Sequence, residues 1–176
     1  VPVNALPLRA AALGAATGGR SMTGLAAVAL TTAPDGNSGW IARLAGPWGR
    51  RLTVAAALGE ITADKFPRVP SRLAPPALAG RLVTGCVAAL ALARRHGVRP
   101  AVPVLVATGA VLAGSLAGAR WRAYAQRRGW PVVAAIAEDA VVVALATTAC
   151  AQRQSGLPRA TSWSSRQPSA RASTTA

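Results

Sequence analysis

Acidic side chains stand where this chain is greasiest. Of the five aspartates and glutamates, Glu60, Asp64, Glu138 and Asp139 lie in or against alanine-rich apolar stretches, and Asp35 alone sits in a polar turn. An ionised carboxylate removed from water is costly unless a cation or several donors meet it. A chain with this pattern must therefore bring its acids together with cations inside a packed interior. Arg20 and Arg81 are the two basic residues that fall inside apolar runs, and they are the natural partners. The six residues Arg20, Glu60, Asp64, Arg81, Glu138 and Asp139 make one candidate polar cluster.

Composition says what surrounds that interior. Hydrophobic residues make up 52% and charged residues 14% of the chain, against the roughly 25% charged of soluble domains. Only 4% are aromatic, so a core in water would rest on alanine, valine and leucine, which bury little area each. The same small residues suit a bilayer, where helices associate by close backbone approach. Mean hydropathy is +0.33 with a polar tail included.

Five apolar runs punctuate the sequence. Leu8 to Ala33 is long enough to cross the hydrocarbon layer at ~1.5 Å per residue, but Gly18-Gly19-Arg20-Ser21 interrupts it. An arginine at mid-span must face the bundle interior or a carboxylate, or the helix must break there. Pro34 to Arg51 reads as a loop, with turn chemistry at Pro34-Asp35-Gly36-Asn37; Trp40 and Trp48 with Arg43, Arg50 and Arg51 fit a membrane interface, and packing within the loop is an equal reading of the tryptophans. Thr53 to Ala63 is short for a span and reads as a re-entrant or buried segment. On a helix Glu60 and Asp64, at i and i+4, share one face. A turn stiffened by Pro67, Pro70, Pro75 and Pro76 follows, carrying Lys65, Ser71 and Arg72. Ala77 to Ala93, Ala101 to Ala119 and Val132 to Ala151 are three further spans. Between the last two lies a basic-aromatic interfacial loop from Arg120 to Trp130. Residues 1–7 have no basic stretch ahead of an apolar one, so no cleavable signal is expected.

The fold class expected is all-α: a polytopic membrane bundle of four to five apolar helices, one of them short or re-entrant, over residues 1–151. Residues 152–176, rich in Ser, Thr, Pro, Arg and Ala without periodicity, read as a disordered tail. If all five runs cross, the loop arginines divide almost evenly between the two sides. If Thr53 to Ala63 dips in and returns, the 34–76 region and the 120–129 loop share one basic side, and both termini lie outside the cytoplasm.

Net charge is +15, and Lys65 is the only lysine. Apart from Arg20 and Arg81, the basic residues flank apolar runs or lie in the tail, as suits anionic lipid headgroups. No basic stripe is interleaved with aromatics, so nucleic acid is not an expected partner. Cys86 and Cys150 fall in apolar runs as small hydrophobes, and His96 stands alone in a loop. No metal-ligand cluster, glycine-rich phosphate loop or nucleophile–base pair is visible, so neither an enzyme nor a metal or cofactor is expected.

Two stretches echo each other. Gly19-Arg20-Ser21-Met22-Thr23-Gly24 and Gly80-Arg81-Leu82-Val83-Thr84-Gly85 both read G-R-x-x-T-G, and each is followed by an alanine-rich segment bearing an acid, Glu60 or Glu138. Transporters are often built from such repeats; chance resemblance in an alanine- and glycine-rich chain is the other reading.

Gly19-Arg20-Ser21-Met22-Thr23, Gly59-Glu60, Asp64-Lys65-x-Pro67-x-x-Pro70-Ser71-Arg72, Pro75-Pro76-x-x-x-Gly80-Arg81 and Ala137-Glu138-Asp139-Ala140 together resemble a family of small bacterial membrane proteins, domain of unknown function 4126. The resemblance covers most of residues 8–151. It implies a multi-pass protein of the bacterial inner membrane, and it supplies neither a catalytic residue nor a substrate.

Two functions fit. In one, the intramembrane charges bind a cation or relay protons in a transporter- or channel-like protein. In the other, they only hold helices together, and the protein is a scaffold that forms a homo-oligomer through its glycine-rich helices.

Overall fold

The computed structural model describes residues 5–33, 39–63 and 73–151, and the regular structure in them is helical. In chain order the helices are α1 (Leu6–Gly19), α2 (Ser21–Thr31), α3 (Trp40–Ala45), α4 (Pro47–Ala63), α5 (Pro75–Arg95), α6 (Ala101–Arg128) and α7 (Pro131–Cys150). Proline in the first turn of α1, α5 and α7 forfeits no helical hydrogen bond. Gly129 ends α6 with φ +79°. Its N–H donates to Gln126 O, and the N–H of Trp130 reaches back to Ala125 O, which closes the helix end. The turn motif of Lys65, Pro67, Pro70, Ser71 and Arg72, together with Asp64 and the 152–176 tail, lies outside the described residues.

The first apolar run does not make one helix. Gly18 and Gly19 are weak helix formers, each costing about 1 kcal/mol relative to alanine, and Arg20 adopts an extended conformation, φ −140° and ψ 112°. After this break α2 turns back along α1. A Cβ built on Gly24 would strike Thr17 Oγ1 and lie 3.4 Å from Leu13 O. In a continuous helix, positions 13 and 24 would stand ~16 Å apart along the axis. Glycine is needed at 24 because the two helices touch there. The expected spanning run is thus a helical hairpin with Arg20 at its tip.

Side-chain pairs fix the direction of the other helices. Arg50, near the start of α4, donates to Ala29 O and Thr32 O at the base of the hairpin, while Glu60, near the end of α4, meets Ser21 and Met22 at the tip. Helix α5 runs the other way, with Arg81 at the tip and Arg95 at Thr31. Helix α6 runs alongside α1, Ala107 against Gly14 and Ser115 against Gly18. Helix α7 returns, with Asp139 at the tip and Ala151 beside Arg9 at the base. Leu6, Leu13, Val28, Leu92, Val142 and Cys150 form the apolar core between tip and base.

Several expectations are corrected by this arrangement. Thr53 to Ala63 does not itself turn back; it is the end of the continuous, 17-residue α4, and among the described residues the doubling back occurs in α1–α2. Residues 40–51 are mostly helical rather than loop. Arg120 to Arg128 continue α6 rather than forming a loop. Arg50 lies at the base and Arg128 beyond the tip, so the described start of α4 and the end of α6 lie at opposite ends of the bundle. The two G-R-x-x-T-G strings differ locally: the first breaks a helix, and the second lies inside α5.

Helices α5, α6 and α7 are long and apolar enough to cross a membrane. Many of their large apolar side chains face outward: Leu105 is 72% and Ile136 65% exposed. An apolar band of this extent is foreign to a water-facing monomer.

Candidate functional site: the hairpin tip

The break at Arg20 leaves the last carbonyls of α1 and the first N–H groups of α2 without helical partners. Helices α4, α5 and α6 each send a side chain to these groups, and α7 sends one to the Arg20 side chain. Glu60 of α4 accepts from the N–H of Ser21 at 2.8 Å (Oε1) and of Met22 at 3.0 Å (Oε2). It acts as an N-cap supplied by another helix, its negative charge against the positive end of the α2 dipole. The residue in the N-cap position, Arg20, makes no side-chain cap bond of its own. At the α1 end, Gly18 O accepts from Arg81 Nη1 of α5 and from Ser115 Oγ of α6, each at 3.2 Å. Arg81 Nη2 also lies 4.0 Å from Glu60 Oε1, so the groups at the two helix ends bear on each other.

Arg20 turns its guanidinium to α7. Its Nε and Nη2 donate to Asp139 Oδ1 at 2.8 and 2.6 Å. Next along α7, Glu138 faces about 100° away and accepts from Arg122 Nε of α6 at 2.9 Å. The adjacent acids therefore serve different partners. Arg20 is 2%, Arg81 5% and Glu138 9% exposed. Among the described residues the tip holds Arg20, Arg81 and Arg122 against Glu60, Glu138 and Asp139, an even balance of charge.

Of the six residues singled out from sequence, five are described, and the structure brings Arg20, Glu60, Arg81 and Asp139 into one linked set. Glu138 joins through its neighbour Asp139 and pairs with Arg122. Sequence reasoning missed Arg122 and Ser115. Both stand on one face of α6 at i and i+7, a spacing visible in the sequence once the helix is taken to continue past Ala119.

A cavity of about 490 Å³ between α6 and α7 exposes this site toward the Pro131 end; Arg20, Arg122 and Asp139 line it beside Ile136. A second groove, of about 510 Å³, runs between α1, α6 and α7 with Glu138 and Trp121 in its wall. Among the described residues no group of three His, Cys, Asp or Glu is placed to hold a metal ion.

The base of the hairpin is chemically different. Arg50 Nη2 donates to Thr32 O at 2.8 Å, Arg95 Nη2 to Cys150 O at 3.2 Å, and Arg9 to Ala151 O. These arginines meet the negative ends of α2 and α7. Partial burial, more than the nearby arginines, pushes the His96 imidazole below its ordinary range there.

The chain matches no protein-family model, no curated protein and no solved structure.

Proposed function

We propose that the chain is an integral membrane protein of transporter or channel type whose working site is the tip of a re-entrant helical hairpin. In this reading α4, α5, α6 and α7 cross the bilayer, and α1–α2 enters and leaves by one face. Both ends of the described chain then lie on that face. The single observation that carries the reading is the helix broken at Arg20, with Glu60, Arg81 and Asp139 drawn to the break. Discontinuous helices place bare N–H and C=O groups at membrane depth, where transporters use them to bind ions and substrates. The carboxylates are the proton- or cation-handling groups, and Arg20, Arg81 and Arg122 are their counter-ions. Protonation of Asp139 or Glu60 would release Arg20 or the start of α2, which couples proton uptake to movement of the hairpin.

The pairs Gly19-Arg20, Gly59-Glu60, Gly80-Arg81 and Glu138-Asp139, which carry much of the resemblance to domain of unknown function 4126, all fall at or beside this tip. The resemblance of sequence is what supports placing the chain with that family, in a bacterial inner membrane with anionic headgroups against its arginines.

A scaffold remains the second reading because of three glycines. Gly59, Gly80 and Gly109 have nothing within 4 Å of an added Cβ, so the outer faces of α4, α5 and α6 could admit a second copy. Gly14, Gly18 and Gly114, by contrast, already serve contacts between α1 and α6.

Proton flux into liposomes loaded with a pH-sensitive dye separates the two. The original protein is expected to pass protons above empty vesicles. Glu60→Gln, Asp139→Asn and Glu138→Gln are each expected to cut this at least tenfold while remaining extractable and monodisperse. No flux above empty vesicles would favour the scaffold.

A further inference from the structure

We infer that the groove between α1, α6 and α7 is a binding site for a lipophilic organic cation that arrives from the lipid phase. The inference rests on reading the chain as a membrane protein, and it goes beyond the proton-handling tip. The groove holds about 510 Å³, within the range of small-molecule sites, ~300–1,000 Å³. Its walls are almost wholly apolar and its floor is Ala15 and Gly19 of α1. Ala117 and Ala137 stand exposed on its rim, so it opens sideways, where lipid lies in the proposed arrangement. A ligand that partitions into hydrocarbon can enter without crossing the headgroups.

Two features choose a cation over a neutral lipid chain. Glu138 is a carboxylate in an otherwise apolar wall. A Cβ at Gly19 would lie 3.9 Å from Glu138 Oε1, so the carboxylate borders the floor; it is already paired with Arg122, whose Nε donates to Oε2. Trp121 is the other. Its Nε1 donates to Ala134 O at 3.1 Å, and its ring stacks on Tyr124 at 6.3 Å and meets Trp130 edge-on at 5.4 Å. An indole held this firmly offers its π-system to a cation with little ordering cost. Gly19 keeps the floor low, because any side chain there would run into Val142 at 2.6 Å.

Arg122 is the resident competitor for Glu138. Its side chain is 27% exposed and lines the neighbouring cavity on the Pro131 side, so it has somewhere to go. A bound cation thus exchanges for Arg122 at one carboxylate, and removing Arg122 should tighten binding.

The test is equilibrium dialysis of radiolabelled tetraphenylphosphonium against the full chain in detergent. Saturable binding is expected. Ala117→Leu and Ala137→Leu, which fill the groove from exposed positions, are each expected to weaken it at least tenfold. Glu138→Gln should do the same, and Arg122→Gln should tighten it several-fold. Absence of saturable binding overturns the inference, as does binding indifferent to Ala117→Leu. An oligomer that Ala117→Leu dissociates, with no cation bound, would give the groove to a second copy and also overturn it. Binding without proton flux in liposomes would leave this site standing and remove the transport reading; flux without binding would do the reverse.

Discussion

The two ends of the α1–α2 hairpin solve one problem by different means. At the base, the helices finish at the edge of the bundle, and Arg9, Arg50 and Arg95 donate to their last carbonyls. No acid among the described residues pairs with them there. At the tip, the chain breaks inside the bundle, and both kinds of orphan group are exposed at once. Glu60 meets the N–H groups of α2, Arg81 meets a carbonyl of α1, and Arg20 must itself be neutralised by Asp139. The base needs only donors whose charge does not change with pH. The tip also holds three carboxylates, Glu60, Glu138 and Asp139, which can take up a proton. This is why the tip, and not the base, is the candidate for function.

The sharpest way to break that contrast is to remove one partner of a tip pair. Asp139→Ala leaves Arg20, almost fully buried, without its carboxylate. Loss of one member of a buried pair costs roughly 3–5 kcal/mol. Thermal unfolding in detergent is expected to show a large drop in midpoint, and Arg20→Met combined with Asp139→Ala should recover much of it. Equal losses in the single and double variants would mean that the pair is not formed.

Parts of this contrast are legible in the sequence, for physical reasons. Arg20 after Gly18-Gly19 in a greasy run announces a break, because glycine weakens a helix and a buried guanidinium needs an acid. Glu60, Glu138 and Asp139 announce their burial in the same way. The direction taken after the break was hidden. It depends on Gly24 lying against Thr17, a contact between two surfaces that no local periodicity reports. Arg50 and Arg122 were hidden for the opposite reason. Each sits in a basic, aromatic stretch that reads as interfacial loop, yet each is helical and aims inward at a carbonyl or carboxylate. Side-chain charge marked these helix ends as loop because lipid-exposed and protein-capping arginines look alike in sequence.

A smaller effect is expected at the base. Arg50→Gln removes charged donors from Ala29 O and Thr32 O, and hydrogen bonds to charged groups contribute about 1.5–3 kcal/mol. Denaturant unfolding should lose stability by this order, with proton flux retained per folded molecule. Loss of flux in folded Arg50→Gln would erase the functional distinction between base and tip.

Crowding the crossing of α1 and α2 comes next. Gly24→Val drives a branched side chain against Thr17, and overpacking of this kind costs about 1–3 kcal/mol. Gly24→Ala should show the milder version in the same unfolding measurement; a neutral Gly24→Val would mean that the helices do not touch there.

The smallest effect belongs to His96. Its folded pKa lies below the ordinary value of 6.5 because burial disfavours the charged ring. The unfolded chain therefore binds the proton more readily, and this group's contribution to stability is fully present at neutral pH and diminishes as pH falls through 6.5 toward the folded value. His96→Gln should flatten that part of the stability–pH curve without changing stability at neutral pH by much.

The turn inside the first apolar run is tested most directly by a disulfide. With Cys86 and Cys150 replaced by serine, Thr17→Cys and Gly24→Cys are introduced together and the protein is oxidised in the membrane. The hairpin brings these positions into contact, and near-complete cross-linking is expected, with both thiols protected from alkylation. A continuous helix would hold them ~10 Å apart along its axis, beyond disulfide reach. Two free, alkylatable thiols after oxidation would contradict the hairpin and the assembly of the site at its tip.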